Sequence, residues 1–462
     1  MHAMGDIVAW KSGKPIPAAK LVEAAAALAT ALPSRRYVLN LCRDRYQFTV
    51  GLGAAMIARQ VTLLPPGHGE AAMRDIRRDF GDLCCLADHE DIPAGIDTVQ
   101  APGGARGPAL REIPAFPGEQ PAAIVFTSGS TGPPTPHVKS WGSLVRGALA
   151  LGRHLGWTPT SRPSIVGTVP AQHMFGLETT VMLPLQWCGA VYTGRPLLPF
   201  DIKAAVDATP APRWLMTTPL HLHACVSDGI DLRGSLRGVI SSTMPLDAGL
   251  ARSAEELCGC PVEEIYGCSE TGMIAMRRSA SGPTWTLCEG VSMETRDGAT
   301  RVAGGHVEQP FMLVDRVEIA GKDSFRLLGR ANDLIKVAGK RTSLEALNAR
   351  LRKVPGVSDG VFYVPSMPEN RTGRPAAFAV APGSTAAAIL AALREDLDPV
   401  FLPRPLYLVD ALPRTANGKI TLDGLEALAR SMSARRYSDD QREVADSMIE
   451  CLNLEVTAGR AR

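Results

Sequence analysis

Short apolar segments alternate with longer alanine- and leucine-rich segments through the first third of the chain. Residues 37–41 and 61–64 have the length of strands, whereas residues 17–32 and 49–59 have the length and apolar spacing of helices. A regular alternation of strands and helices is typical of mostly parallel sheets covered by helices. The sequence therefore predicts an α/β fold, and it predicts such sheets for a large N-terminal domain, 1–328.

The pattern changes near Phe325. Beyond it, residues 343–354 and 385–396 read as helices, and residues 357–365 and 376–381 read as strands. This α+β pattern of about 100 residues has the size of a small domain. We therefore predict a small C-terminal domain over 329–433, and a tail over 434–462 that forms one further helix.

The composition excludes several classes of function. Only 5% of the 462 residues are aromatic and the net charge is +2, which disfavours binding to nucleic acid or to an anionic membrane. The ten cysteines lack the paired spacing of a zinc site. The first residues carry no signal-peptide pattern, and we find no apolar run long enough to cross a membrane. We expect a cytoplasmic protein with reduced thiols.

A hydroxyl- and glycine-rich loop follows the apolar strand predicted at 122–126. It consists of Thr127, Ser128, Gly129, Ser130, Thr131 and Gly132. Glycines let the backbone approach an anion closely, and hydroxyl and N–H groups donate hydrogen bonds to it. The loop lacks the Gly-Lys-Ser/Thr ending of a Walker A loop. It is interpreted as a phosphate-binding loop, with a plain surface loop as the alternative.

Three further segments carry charged groups next to turns. Residues 264–271 end a strand with an aromatic, a hydroxyl and a carboxylate group, and a carboxylate beside phosphates suits Mg²⁺. Residues 329–336 place both signs of charge at the predicted domain boundary. Residues 412–420 present a lysine directly after a glycine. The four segments, in this order, indicate one nucleotide-handling site.

With these motifs the chain, from about Tyr37 to Leu425, resembles the adenylate-forming superfamily of acyl-CoA synthetases, peptide-synthetase adenylation domains and luciferases. The resemblance implies a mobile small domain that rotates on a hinge, here at Asn332, between acid adenylation and thioester formation. It also implies ATP and Mg²⁺ as cofactors, and a thiol as the acyl acceptor.

The resemblance also assigns nucleotide-binding residues. The loop hydroxyls would hold the β- and γ-phosphates, with Thr131 and Glu270 at the metal. Asp315 would bind the ribose, and Lys419 would neutralise charge between the carboxylate and the α-phosphate. The remaining positions assigned to cofactor binding are Ser242, Thr243 and Met244 beside adenine, Tyr266 and Gly267 flanking it, Ser269 at the α-phosphate, and Arg330 and Lys336 near the domain boundary.

Several positions depart from the family pattern. Thr135 stands where the family commonly has a lysine, and Lys139 is the first candidate to supply that charge. Asn332 replaces the usual Asp or Lys of the hinge, and residues 241–245 lack the usual glycines. These departures place the chain on a divergent branch that keeps Glu270 and Lys419.

The segment 169–178 matches the family motif on the acid side of the site. His173 would line the carboxylate end of the acyl pocket as a catalytic residue, although a structural histidine at a strand end is the alternative. Gly176 stands where amino-acid-activating relatives have an aspartate that holds the substrate amine. An α-amino acid is therefore disfavoured, with Glu178 left as another possible amine partner.

The segment 172–178 most resembles the AMP-ligases of aryl polyene and polyketide clusters. We therefore predict an acid–thiol ligase that activates an aromatic or medium-chain carboxylic acid. The acyl group would pass to the phosphopantetheine thiol of an acyl carrier protein, or to coenzyme A. Two alternatives stay open, a synthetase that makes free acyl-CoA and an inactive relative that binds a ligand.

Overall fold

The computed structural model describes residues 2–65, 70–101, 112–126, 135–330, 334–337, 340–365, 374–415, 418 and 420–432. The chain divides into two compact units, Met1–Leu328 and Gly329–Arg462. Each unit has apolar clusters of its own.

Short strands make up most of the regular structure of the first unit. They are β1 Ile7–Lys11, β2 Lys14–Pro17, β3 Tyr37–Asn40, β4 Val61–Leu64, β5 Leu83–Ala87, β6 Thr98–Gln100, β7 Pro121–Phe126, β8 Pro136–Ser140, β9 Ser164–Gly167, β10 Ala190–Tyr192, β11 Arg213–Thr217, β12 Gly238–Ser241, β13 Val262–Cys268, β14 Gly272–Arg277, β15 Thr284–Leu287, β16 Val291–Arg296, β17 Ala299–Gly304, β18 Val307–Leu313, β19 Asp315–Gly321 and β20 Ser324–Arg330.

Helices lie between many of the strands from β2 to β13. They are α1 Ala18–Ala31, α2 Arg45–Ile57, α3 Glu70–Asp79, α4 Trp141–His154, α5 Met174–Gly176, a π-helical turn Leu177–Met182, α6 Leu183–Gln186, α7 Pro199–Asp207, α8 Pro219–Ser227 and α9 Ala248–Cys258.

Two large sheets organise the first unit. A six-stranded sheet has the order β6-β5-β3-β4-β7-β8, and all its pairs are parallel except β7 with β8. An eleven-stranded sheet has the order β19-β20-β15-β14-β13-β12-β11-β9-β10-β1-β2, with parallel pairing from β13 to β1. The predicted mostly parallel, helix-covered sheets are thus confirmed in this unit.

Successive side chains of the central strands in the eleven-stranded sheet pack into two different apolar cores, one on each face of the sheet. Val239 and Leu215 pack against α7, α8 and α9, whereas Ile240 and Met216 belong to the core on the opposite face. Successive side chains of a strand point to opposite faces, so a strand covered on both sides is apolar throughout. This explains why the central strands read as continuous apolar segments in the sequence.

The second unit is a small α+β assembly. Its elements are a hairpin of β21 Leu334–Val337 and β22 Lys340–Ser343, a three-stranded sheet of β23 Asp359–Tyr363, β24 Ala376–Val380 and β25 Leu406–Leu408, the helices α10 Leu344–Lys353 and α11 Ala386–Asp396, a 3-10 turn Pro399–Phe401 and a last helix at 422–432. The small α+β pattern predicted beyond Phe325 is therefore present.

Candidate functional site

The carboxyl ends of the parallel strands β11, β12 and β13 lie side by side. Their registered partners include Thr217 with Ser241, and Ser241 with Glu264. Ligands of open α/β sheets bind beyond the carboxyl ends of the strands. Of the segments predicted to hold the nucleotide, 241–245 leaves the sheet at this edge, and 264–271 forms the end of β13 and the turn that follows it.

The segment after β12 combines a strained backbone with an unpaired hydroxyl. The Ser242 hydroxyl donates to the Ile265 carbonyl at 3.1 Å and thereby joins the ends of β12 and β13. Thr243 has a φ of 79°, a region that a β-branched residue rarely adopts. Its Oγ1 is buried without a hydrogen-bond partner in the described part of the chain, as is Ser241 Oγ. Buried polar atoms without partners are uncommon, and here they fit a bound polar group.

Tyr266 and Asp315 are joined directly. The Tyr266 hydroxyl donates to Asp315 Oδ2 at 2.6 Å, and the Tyr266 ring packs on Trp285 and Phe325 with centroid distances of 5.4 and 5.8 Å. The family resemblance assigned Tyr266 to adenine and Asp315 to the ribose. This hydrogen bond holds the two side chains, one on β13 and one on β19, next to each other. Their roles at adenine and ribose stay predictions.

Ser269 and Glu270 occupy the turn between β13 and β14. Gly267 precedes this turn at a register shift, where a Cβ would overlap the Gly272 carbonyl. The Glu270 side chain is 20% exposed, and its Oε1 lies 4.0 Å from His137 Nε2. An accessible carboxylate oxygen at a tight turn is a suitable ligand for Mg²⁺, so the residues present fit the metal that the resemblance implies.

Lys139 is buried and does not point outward as a free cation. It is 4% exposed, and its Nζ donates to the Glu270 backbone carbonyl at 2.5 Å. Burial lowers the pKa of Lys139, while the carboxylates of Glu178 and Glu308 raise it. The lysine therefore ties β8 to the turn that carries Glu270.

Two further buried side chains, Glu178 and His306, contact the backbone of Met273, the second residue of β14. Glu178 Oε1 accepts from the Met273 N–H at 3.0 Å, and His306 Nε2 lies 2.5 Å from the Met273 carbonyl. Burial raises the pKa of Glu178 to about 7 and lowers the pKa of His306 to about 4. The buried Glu178 carboxyl already hydrogen-bonds to the Met273 backbone. This contact weighs against its role as the partner of a substrate amine.

His173 caps the short helix α5. Its Nδ1 accepts from the Phe175 N–H at 3.3 Å, and the residue is half-buried after the end of β9. Gly176 packs so closely on the turn before it that a Cβ would overlap the Pro170 carbonyl. The motif therefore has a fixed backbone, and the catalytic role of His173 stays a prediction.

The turn before Lys419 is held by Arg414. Its guanidinium donates to the Gly418 carbonyl at 2.8 Å and to Asp359 at 2.6 Å. Gly418 has a φ of 78°, which favours glycine, and its N–H donates to the Thr415 carbonyl. The described residues Thr415 and Gly418 are therefore joined within the segment for which the glycine turn was predicted.

Several predicted site residues lie outside the described residues. They are the phosphate loop, with Thr127, Ser128, Gly129, Ser130, Thr131 and Gly132, together with Asn332, Lys419 and the tail 434–462. Arg330 and Lys336 belong to β20 and β21, and only their backbone is described. Met244 follows Thr243 in the segment after β12. The roles of these residues stay predictions.

Three residues of this site were not recognised from the sequence. His137 carries no motif, His306 lies in a turn between β17 and β18, and Glu178 was considered only for a substrate amine. Their contacts join residues far apart in the chain, such as Glu178 with Met273 and His306 with Met273. Local sequence patterns give no signal for such pairs.

Comparison with known proteins identifies the family. A family model described as AMP-binding enzyme matches residues 19–304, and one for the AMP-binding enzyme C-terminal domain matches residues 346–419. The chain is 32% identical over 309 residues to a 4-coumarate–CoA ligase of Rhodobacter capsulatus, covering 65% of this chain and 75% of that protein.

Solved structures show the same fold. ATP-bound MatB from Rhodopseudomonas palustris matches with a TM-score of 0.79 at 20% identity, covering 94% of this chain and 97% of that one. O-succinylbenzoate coenzyme A synthetase from Bacillus subtilis, in complex with ATP and magnesium, matches with a TM-score of 0.77 at 18% identity, covering 91% and 96%.

The chain therefore belongs to the AMP-binding enzyme family. It is an AMP-forming acid–thiol ligase, and it uses ATP to activate a carboxylic acid as an adenylate. The predicted resemblance and the predicted enzyme class are confirmed. In the described part of the chain, no helix has both the length and the apolar content needed to cross a bilayer.

Proposed function

We propose that this ligase activates an aromatic or medium-chain carboxylic acid and transfers the acyl group to the phosphopantetheine thiol of an acyl carrier protein. The observation that carries the adenylation step is the strand-end cluster of Ser242, Tyr266, Glu270 and Asp315, in which Ser242 donates to the Ile265 carbonyl and Tyr266 donates to Asp315. An aromatic acid is supported by the relative named for 4-coumarate.

The proposed site assigns each residue a task in adenylation. Tyr266 and Asp315 hold the nucleoside, and Glu270 binds Mg²⁺, which would neutralise phosphate charge when it is bound. Lys419 approaches the acid and the α-phosphate, where two anions must come together. His173 lines the carboxylate end of the acyl pocket.

Coenzyme A is the second candidate for the acceptor. It carries the same phosphopantetheine thiol, and several relatives are named as CoA ligases, including the one for 4-coumarate and one for sulfoacetate. Product analysis with coenzyme A and with holo-carrier protein, at equal thiol concentration, distinguishes the two acceptors. If coenzyme A is acylated faster than the carrier protein, coenzyme A is the acceptor and the carrier-protein proposal is wrong.

Pyrophosphate exchange tests the adenylation step. Benzoates, cinnamates and fatty acids are compared as substrates, and we expect acid-dependent exchange with at least one class. Lys419→Ala should lower this exchange by about 100-fold or more, because it removes the charge that stabilises the transition state.

The matched control is Lys203→Ala, which removes an exposed lysine that pairs with Asp207 on α7. It should leave exchange unchanged. Full exchange in the Lys419→Ala variant would contradict the role of Lys419, and absence of exchange with every acid would contradict the proposed substrate class.

A further inference from the structure

Two basic side chains share one face of β8, the strand that follows the predicted phosphate loop. His137 and Lys139 are two residues apart, so they point to the same face of the strand. Thr135, which stands where relatives commonly have a lysine, lies two residues before His137. Both basic groups reach Glu270, His137 at its carboxylate and Lys139 at its backbone carbonyl.

The contact of Lys139 fixes the position of the turn. The charged Nζ of Lys139 lies 2.5 Å from the Glu270 carbonyl oxygen, which makes a strong hydrogen bond. The Lys139 side chain is almost fully buried. The bond holds the carbonyl of Glu270 itself, so it limits where the Glu270 carboxylate can point. Met273, three residues on, is held by Glu178 and His306. The turn is therefore anchored on both sides.

His137 is arranged differently. Its Nε2 is buried and has no hydrogen-bond partner among the described residues. The distance of 4.0 Å to Glu270 Oε1 is too long for a hydrogen bond, but it lets both atoms contact one oxygen placed between them. Magnesium bound at protein sites usually keeps several water ligands, and these need hydrogen-bond partners.

We propose that Lys139 is a positioning residue for the metal-binding carboxylate Glu270, and that His137 hydrogen-bonds an oxygen in the coordination sphere of the same magnesium ion. The proposal rests on the proposed function, because that function assigns magnesium–ATP to Glu270. In this proposal, His137 and Lys139 on β8 supply the basic groups of the site. Thr135 cannot do so, since a threonine carries no charge.

The test measures magnesium-dependent ATP binding by titration calorimetry on the full chain, without any acid. Variants Lys139→Met and His137→Ala should each weaken magnesium–ATP binding by about tenfold or more, the usual effect of removing a group that orients a metal ligand. Binding of ATP in the presence of a chelator should change by less than about twofold, because neither side chain contacts the nucleoside in this arrangement.

Conservative variants separate positioning from general damage. Lys139→Arg keeps the cation and His137→Gln keeps a hydrogen-bonding group, so both should recover part of the magnesium dependence. Should Lys139→Met fail to fold, His137→Ala still tests the inference, because it is expected to weaken magnesium–ATP binding by the same amount. The control is Arg278→Met, which removes a cation paired with Glu255 at the opposite end of the β13–β14 hairpin and should leave magnesium dependence unchanged.

The outcomes distinguish this inference from the proposed function. Unchanged magnesium dependence in Lys139→Met and His137→Ala overturns the inference while the proposed function stands. Equal weakening of ATP binding with and without magnesium also overturns it, since that result indicates only structural damage. If the unsubstituted chain binds no magnesium–ATP, both fail together.

Discussion

At the scale of single residues, buried ionisable groups cluster behind the turn that carries Glu270. Glu178 is 7% exposed and Lys139 is 4% exposed. A buried charge is costly unless it is paired and hydrogen-bonded. Glu178 bonds to a backbone N–H and Lys139 to a backbone carbonyl, so each is held by the backbone of one hairpin.

Glu178→Gln should make stability less dependent on pH. Burial raises the pKa of Glu178 to about 7, so the folded state binds a proton that the unfolded chain releases near pH 4. Folding is therefore penalised increasingly as the pH rises from about 4 to about 7. The neutral amide should stabilise the protein by on the order of 1–3 kcal/mol at pH 8, and much less at pH 5.

Thermal or urea unfolding at the two pH values measures this difference. The glutamine side-chain oxygen can still accept a hydrogen bond from the Met273 N–H, so the contact between residue 178 and β14 is kept. A loss of stability at pH 8 would show that attraction to Lys139 outweighs the cost of burying the carboxylate.

Thr243→Gly should relieve backbone strain. A threonine at a φ of 79° is strained, and its hydroxyl has no partner in the described residues. Glycine adopts this conformation freely, so the free energy of unfolding should rise by about 1 kcal/mol after the entropy cost of glycine is deducted. Urea unfolding measures it, and a weaker ATP affinity of the same variant would indicate that the hydroxyl binds nucleotide.

At the scale of elements, the junction between β9 and α5 shows how a motif is fixed by packing. The chain passes from β9 through Pro170 and His173 into a helical stretch that continues through the π-helical turn to α6. Gly176 is the residue at which this turn closes on the Pro170 carbonyl. No side chain fits there, which accounts for the missing aspartate in structural terms.

Gly176→Ala should therefore destabilise the protein by about 2–3 kcal/mol, because the methyl group forces the turn apart. It should also lower acid-dependent exchange, since the turn positions His173. The matched control is Gly81→Ala, where a Cβ would lie 3.5 Å from the nearest atom. Equal stability of the two variants would contradict the close packing.

The elements also show what the sequence could predict. The helix predicted at 17–32 corresponds to α1 Ala18–Ala31, and the one at 385–396 to α11, because apolar spacing and Thr385 as N-cap are local signals. The strands from β14 to β19, which belong to two different sheets, were not predicted. These strands are short and partly exposed, and their order depends on pairing rather than on periodicity.

The candidate site was predictable in part for the same reason. Tyr266 and Glu270 stand in a segment that can be read locally, whereas Asp315 was assigned by the family resemblance, and the roles of all three stay predictions. The burial of Lys139 could not be predicted, because its partner Glu270 is 131 residues away in the chain. A lysine on a short strand is usually solvent-exposed, and only the fold turns this one inward.

At the scale of the whole molecule, the apolar clusters formed by described residues lie wholly within one unit or the other. One large cluster runs from Val8 to Phe325, and the main cluster of the second unit runs from Ile335 to Leu402. A unit with its own core can fold independently. Glu270 belongs to the first unit, and Lys419, the residue proposed to serve adenylation, belongs to the sequence of the second.

A chain consisting of residues 1–328 should therefore unfold cooperatively and bind ATP, but show no acid-dependent pyrophosphate exchange. Calorimetric unfolding and the exchange assay measure the two properties. A fragment without a cooperative transition would contradict the independence of its core, and a fragment with full exchange would contradict the need for Lys419.

The edge strand β2 has a consequence for handling the protein. Its sequence Lys-Pro-Ile-Pro contains two prolines, which cannot donate backbone hydrogen bonds, and among the residues that the structure describes it pairs only with β1. A sheet border of this kind is a poor template for a strand from another molecule. Replacing Pro15 and Pro17 with valine should open that border and make concentrated solutions prone to β-type aggregation, which light scattering would detect.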